Sequence, residues 1–135
     1  MSKVSDCTFC KIAQGKIPSY KIFEDKDFLA FLDINPTSEG HTVVIPKKHF
    51  EFVWDVDNIG DYMHFCKKIA EYYQKVNDNK VVYSIIHGEG VSHAHIHIIP
   101  KINDIWSKKL NDAFETSKLL PDEAIKIQNK YALLK

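Results

Sequence analysis

The spacing of apolar residues switches between two periods along this chain, and the switches outline its elements. Lys21-Ile22-Phe23-Glu24 and Phe28-Leu29-Ala30-Phe31-Leu32 flank the turn Asp25-Lys26-Asp27, which predicts a β-hairpin. Thr42-Val43-Val44-Ile45 predicts a third strand, stopped by Pro46, after the turn-rich loop Asn35-Pro36-Thr37-Ser38-Glu39-Gly40. From 58 to 76 the period lengthens. Ile59, Tyr62, Met63, Cys66, Ile69, Ala70 and Tyr73 recur at helical spacing and predict one long amphipathic helix. Residues 81–86 read as a fourth strand, and His87-Gly88-Glu89-Gly90 as a glycine-bearing turn. A run of period two, from 93 to 99, reads as a fifth strand ending at Pro100. A helical turn is expected over 11–14, and a C-terminal helix over 121–134, opened by Pro121-Asp122-Glu123. The whole predicts a single α+β domain over 1–135: a five-stranded antiparallel sheet with one long helix and a C-terminal helix. Residues 101–135 are expected to form an extension packed on it.

Bulk properties narrow the function classes. A chain of 135 residues can bury one usable core. A formal net charge of +0 does not resemble the basic footprint of a nucleic-acid binder or a polybasic membrane anchor. No apolar run reaches transmembrane length, and Met1-Ser2-Lys3-Val4-Ser5-Asp6 lacks the apolar stretch of a secretory signal. The expected setting is cytoplasmic, with no nucleic acid and no membrane as partner. Every cationic side chain is lysine. Phosphate recognition would therefore use lysine, histidine, hydroxyls or backbone N–H groups, without the bidentate guanidinium fork.

Two patterns carry candidate chemistry. In His93-Ala94-His95-Ile96-His97 the imidazoles alternate with apolar residues, so a strand would put all three on one face, roughly 6.5–7 Å apart. Three histidines in strict alternation point to a site rather than to a polar face. Cys7-Thr8-Phe9-Cys10 precedes the first strand, where a thioredoxin-type redox pair has no place. It fits a zinc half-site that needs two further ligands. Cys66, within the helical stripe, reads as a buried, inert thiol. His64 reads as a helix-face residue, and no role is assigned to His87.

Together these pieces resemble the histidine-triad (HIT) family of nucleotide hydrolases and transferases, in its zinc-containing bacterial branch. The resemblance is carried by His93-Ala94-His95-Ile96-His97-Ile98-Ile99, by Gly40-His41-Thr42-Val43-Val44-Ile45-Pro46-Lys47-Lys48-His49, by Phe31-Leu32-Asp33-Ile34 and by Cys7-Thr8-Phe9-Cys10-Lys11-Ile12. It implies a homodimer that binds a purine nucleotide such as AMP or GMP. It also implies cleavage at the α-phosphate of nucleoside phosphoramidates or related AMP conjugates. A neutral imidazole suits this chemistry, being a nucleophile near pH 7 that can hold the nucleotide as a covalent phosphoramidate. By resemblance His95 is the nucleophile and His97 the phosphoryl donor, while His41 orients a triad imidazole. Asp33 matches the ribose contact, and Phe9, Ile12, Phe31 and Ile34 match the base-pocket walls. Gly88, Glu89, Gly90 and Val91 match the phosphate loop, with N–H groups facing the phosphate. Cys7, Cys10, His49 and His93 match the four ligands of a structural zinc.

The chain departs from the family pattern just before the triad. Relatives carry a longer loop and a G-Q-[ST]-V run, where this chain has Gly88-Glu89-Gly90-Val91. Glycine stands where a hydroxyl is usual and glutamate where glutamine is usual. An altered leaving-group preference or a slow enzyme is expected. Other readings are a dinucleoside polyphosphate hydrolase, a three-histidine catalytic metal site on His93, His95 and His97, and a nucleotide-binding module with little turnover.

Overall fold

A computed structural model describes residues 6–100 and 118–133. The elements are α1 (Thr8–Ala13), β1 (Lys21–Glu24), β2 (Phe28–Leu32), β3 (Thr42–Pro46), a 3-10 turn (Val53–Asp55), α2 (Ile59–Val76), β4 (Tyr83–Ile85), β5 (Ile96–Ile99) and α3 (Pro121–Tyr131). The five strands form one antiparallel sheet in the order β1-β2-β3-β5-β4. The α+β class with a five-stranded antiparallel sheet is as expected from the apolar pattern. The extension expected over 101–135 lies outside the described residues at 101–117. Its described part, α3, buries Ala124 and Tyr131 in the main core. None of the described helices is long and apolar enough to cross a membrane.

β2 and β3 lie inside the sheet and are covered on both faces, which is why they read as unbroken apolar runs. On one face Phe28, Ala30, Leu32, Val44, Ile96 and Ile98 meet the α2 stripe of Tyr62, Phe65, Ile69 and Tyr73. On the other, Leu29, Phe31, Val43 and Ile45 pack with Ile12 of α1. Two buried tyrosines of α2 fasten the helix to β3. The Tyr62 hydroxyl donates to the Val44 carbonyl at 2.6 Å, and the Tyr73 and Thr42 hydroxyls lie 2.6 Å apart. Cys66 is buried as expected, and burial pushes its thiol up to about 12.

The edges differ from the sequence-based expectation for physical reasons. The histidine strand begins at Ile96, not at His93. The β3–β5 register, with Val44 opposite Ile96, brings Pro46 opposite Ala94. Proline has no N–H to continue the ladder. Ala94 donates instead to the Phe50 carbonyl at 2.7 Å. β4 shrinks to three residues because its partner β5 offers only four. α1 begins earlier than expected, at Thr8, with the Cys7 sulfur accepting the Cys10 N–H as its cap. α3 ends at Tyr131, three residues short.

Gly40 is the most tightly enclosed of the described glycines. Its φ is +86°, and a Cβ there would come within 2.7 Å of Pro100 Cγ and 2.9 Å of Tyr131 Cζ. Gly40→Ala combines a left-handed backbone with a clash against two packed rings. It is expected to cost about 2 kcal/mol or more, read as a lower urea midpoint at unchanged m-value. An unchanged midpoint would mean that the loop shifts freely.

Candidate functional site

β3 runs between two clusters of polar side chains. At its C-terminal end the N-terminal helix, the loop after β3 and the approach to β5 bring Cys7, Cys10, His49 and His93 together, with donor atoms all within 4.8 Å of one another. The i, i+3 spacing of the two cysteines, one the helix cap and one in its first turn, aims both sulfurs the same way. His93 Nδ1 lies 3.2 Å from the Cys7 sulfur and 3.4 Å from the Cys10 sulfur, and His49 Nδ1 lies 3.2 Å from the Cys10 sulfur. A tetrahedral ion with bonds of about 2.3 Å to sulfur and 2.0 Å to nitrogen puts such donors roughly 3.5 Å apart. The residues present therefore fit a closed two-sulfur, two-nitrogen metal site. His93 Nε2 donates to the Pro46 carbonyl at 2.8 Å, which leaves its Nδ1 lone pair facing the sulfurs. Burial, and then the neighbouring Cys7, push the Cys10 thiol up to about 12, and burial pulls His93 down to about 4. A cation among these groups would reverse the thiol shift.

The second cluster lies beyond, on the face covered by α1. His95 and His97 stand edge to face, with ring centroids 5.2 Å apart. Their protons can be assigned from backbone partners. His95 Nδ1 lies 2.8 Å from the His93 carbonyl, which can only accept, so its proton sits on Nδ1 and its lone pair on Nε2. The Thr37 N–H donates to His41 Nδ1 at 2.9 Å, so the proton of His41 is on Nε2. That N–H donates to His97 Nδ1 at 2.8 Å, which leaves the proton of His97 on Nε2. The cluster thus offers one nucleophilic nitrogen beside one N–H donor. Burial lowers all three imidazoles, and His97 falls to about 3 with help from His41, His95 and His87. All three are therefore neutral at pH 7.

Asp33 follows β2. Its carboxylate lies 3.5 Å from His41 Nε2 and 3.9 Å from His97 Nδ1, and it also accepts the Asn35 N–H at 2.8 Å. Phe9 of α1 meets both Phe31 and His95 edge on, each at 5.6 Å, with Ile12 buried behind it. Ile34 is 62% exposed. A cleft of about 370 Å³ opens beside Asp33 and His41 towards Leu119 and Ile127. Phe9, Ile12, Phe31 and Ile34 do not line it.

In the turn expected to face phosphate, two N–H groups are already engaged. The Glu89 N–H donates to His87 Nδ1 at 2.8 Å and the Val91 N–H to the Glu89 carbonyl at 3.1 Å, so neither is free for a ligand. Gly90 has φ +88°, a conformation in which a serine would be strained. His87, to which the sequence assigns no role, stacks on His97 with centroids 5.0 Å apart. The signal for it was a register rather than a motif. Ile85 pairs with His97, so position 87 comes to the same face, opposite His95. The three triad imidazoles do not converge. His93 Nδ1 belongs to the cysteine cluster, and His95 and His97 group with His87. His64 lies exposed on α2, as expected.

Known proteins resemble this chain in sequence and in fold. A family model described as "HIT domain" matches residues 14–104. An uncharacterised HIT-like protein of Borreliella burgdorferi is 41% identical over 108 residues, covering 73% of this chain and 78% of that one. An adenosine 5'-monophosphoramidase of Saccharomyces cerevisiae is 42% identical over 100 residues, 70% of this chain and 62% of the yeast protein. The crystal structure of a HIT-like protein from Bartonella henselae superposes with a TM-score of 0.81 at 26% identity, over 97% of both chains. With the triad, the fold and the family match in agreement, this chain belongs to the HIT family.

Proposed function

We propose that this protein hydrolyses AMP-type phosphoramidates or related AMP conjugates at the α-phosphate, through a nucleotide held covalently on His95. The observation that carries the reading is the His95 tautomer: Nδ1–H donated to a backbone carbonyl, and Nε2 left as a neutral nucleophile. The yeast relative's name, adenosine 5'-monophosphoramidase, supports the same chemistry. In the first step His95 Nε2 bonds to the α-phosphorus as the P–N bond breaks. The amine leaves with the electron pair and takes a proton from solvent. In the second, water adds to phosphorus, the His95–phosphorus bond breaks, the water's proton is lost, and AMP departs from neutral His95. His97 Nε2–H hydrogen-bonds a phosphoryl oxygen while charge builds there. His41 is a positioning residue that holds His97 in the donating tautomer.

Asp33 would take the ribose hydroxyls, and Phe9, Phe31, Ile12 and Ile34 would wall the base. A purine nucleotide such as AMP or GMP is the substrate side of this reading. Zinc on Cys7, Cys10, His49 and His93 would staple α1 to the sheet without joining the reaction. A homodimer and a cytoplasmic setting follow from the family resemblance, and the short edge strand β4 leaves room for a second sheet to join.

Three outcomes test the reading. Incubation with an adenosine 5'-phosphoramidate, an alkaline quench and intact-mass measurement should reveal a protein heavier by one AMP moiety. His95→Ala should lose both the adduct and roughly a thousandfold or more in turnover. No adduct and no turnover in the wild type would leave a binding module. For the metal, about one zinc per chain is expected, lost in Cys7→Ser and in His49→Ala but retained in His95→Ala. Chelation should lower the melting temperature, since a ligand of the folded state alone stabilises it. Loss of zinc in His95→Ala would favour a catalytic metal instead. The third outcome concerns pH. His97 titrates at about 3 in the fold, against about 6.5 unfolded. Between those values the unfolded chain binds the extra proton, so stability falls as pH drops below about 6.5. Between pH 7 and pH 5 the urea midpoint should fall more in the wild type than in His97→Gln. An equal fall would assign the loss to other groups.

A further inference from the structure

Two imidazole nitrogens in the second cluster face each other, and both carry protons in the tautomers their partners impose. His87 Nε2 and His97 Nε2 are 3.2 Å apart, their rings nearly parallel at 20°. Each nitrogen carries a proton for an independent backbone reason. Glu89 N–H occupies the His87 Nδ1 lone pair, so the proton of a neutral His87 is on Nε2. Thr37 N–H fixes His41, and His41 in turn fixes His97 with its proton on Nε2. Neither nitrogen can accept from the other. The ring of His87 also meets His95 edge on, with centroids 5.4 Å apart, so the two donors stand beside the nucleophile.

We propose that His87 is a second phosphoryl-oxygen donor, paired with His97, and that the pair binds the anionic oxygens of the nucleotide α-phosphate. An oxygen drawn between the two N–H groups would satisfy both. A metal cation would not, because both Nε2 atoms are protonated and both Nδ1 lone pairs are already engaged. The proposal also accounts for Gly90. The turn holds that position at φ +88°, where a hydroxyl-bearing residue is strained, and the same turn delivers an imidazole to the phosphate side. Phe52 fixes the turn from behind, since a Cβ on Gly88 would come within 3.1 Å of its ring. The short Gly88-Glu89-Gly90 loop then exchanges one kind of neutral donor for another.

The inference rests on the nucleotide reading of the site, and its test separates the two. AMP and adenosine are titrated calorimetrically into the wild type, His87→Ala and His87→Gln, and turnover of an adenosine 5'-phosphoramidate is followed in parallel. His87 is exposed, so the variants should fold, as a urea midpoint will verify. His87→Ala should weaken AMP roughly ten- to a hundredfold while leaving adenosine unchanged, the scale of a lost hydrogen bond to a charged group. kcat should fall with it. His87→Gln, which keeps an N–H at similar reach, should recover most of the AMP affinity. Equal AMP affinity in the wild type and His87→Ala overturns the proposal, as does an equal loss for AMP and adenosine. A second equivalent of zinc that disappears in His87→Ala would overturn it in favour of a cation site. A wild type that binds AMP without turnover or adduct overturns the hydrolase reading alone, and the AMP–adenosine comparison still decides His87. A wild type that binds neither overturns both.

Discussion

Backbone groups decide what each imidazole can do in this protein. Neutral histidine has one proton and two nitrogens, and chemistry depends on which nitrogen is bare. Two carbonyls, of Pro46 and His93, accept hydrogen bonds from His93 Nε2–H and His95 Nδ1–H. Two backbone N–H groups, of Thr37 and Glu89, donate hydrogen bonds to His41 Nδ1 and His87 Nδ1. These four contacts sort similar rings by which nitrogen is bare: Nδ1 of His93 towards the cysteine sulfurs, Nε2 of His95, and neither Nε2 of His41 nor that of His87. Burial reinforces the sorting by keeping the rings of His41, His93, His95 and His97 uncharged. No cationic side chain is needed for it.

β3 holds one of those backbone groups and, just before its start, one of the rings. His41 sits just before its first residue, and Pro46 is its last. The strand is buried on both faces, bonded to β2 and β5, and held from α2 by two tyrosine hydroxyls. A rigid central strand of five residues thus sets the separation between the cysteine cluster and the His41–His97 pair. Sites built on such elements keep their geometry better than sites on loops.

The interior of the sheet was legible because two-sided burial leaves an unambiguous mark. Phe28 to Leu32 and Thr42 to Ile45 are apolar throughout, and the α2 stripe has a clear helical period. What stayed hidden depends on partners distant in sequence. The start of β5 is set by Pro46 across the sheet, so the alternation from His93 to Ile99 overstated the strand. The linking of Cys7 and Cys10 to His49 and His93 came from family resemblance, since spacing alone cannot join residues 86 apart. His87 was missed because it acts through the β4–β5 register and through a backbone N–H two residues on. Of the N–H groups around the Gly88–Gly90 turn, those of Glu89 and Val91 are bonded within the turn, which spacing alone does not show.

The cap of α1 joins two functions in a single atom. The Cys7 sulfur that accepts the Cys10 N–H to start this helix is also part of the cysteine–histidine cluster. The same six-residue helix carries Phe9, whose ring lies against both His93 and His95. A metal held by Cys7 and Cys10 and a nucleotide against Phe9 would therefore both act on the order of α1. Thermodynamic linkage makes such an effect reciprocal: whatever factor the metal contributes to nucleotide affinity, the nucleotide returns to the metal. In a cell where free zinc varies, the fraction of nucleotide-competent molecules would follow it, without zinc ever touching the phosphate.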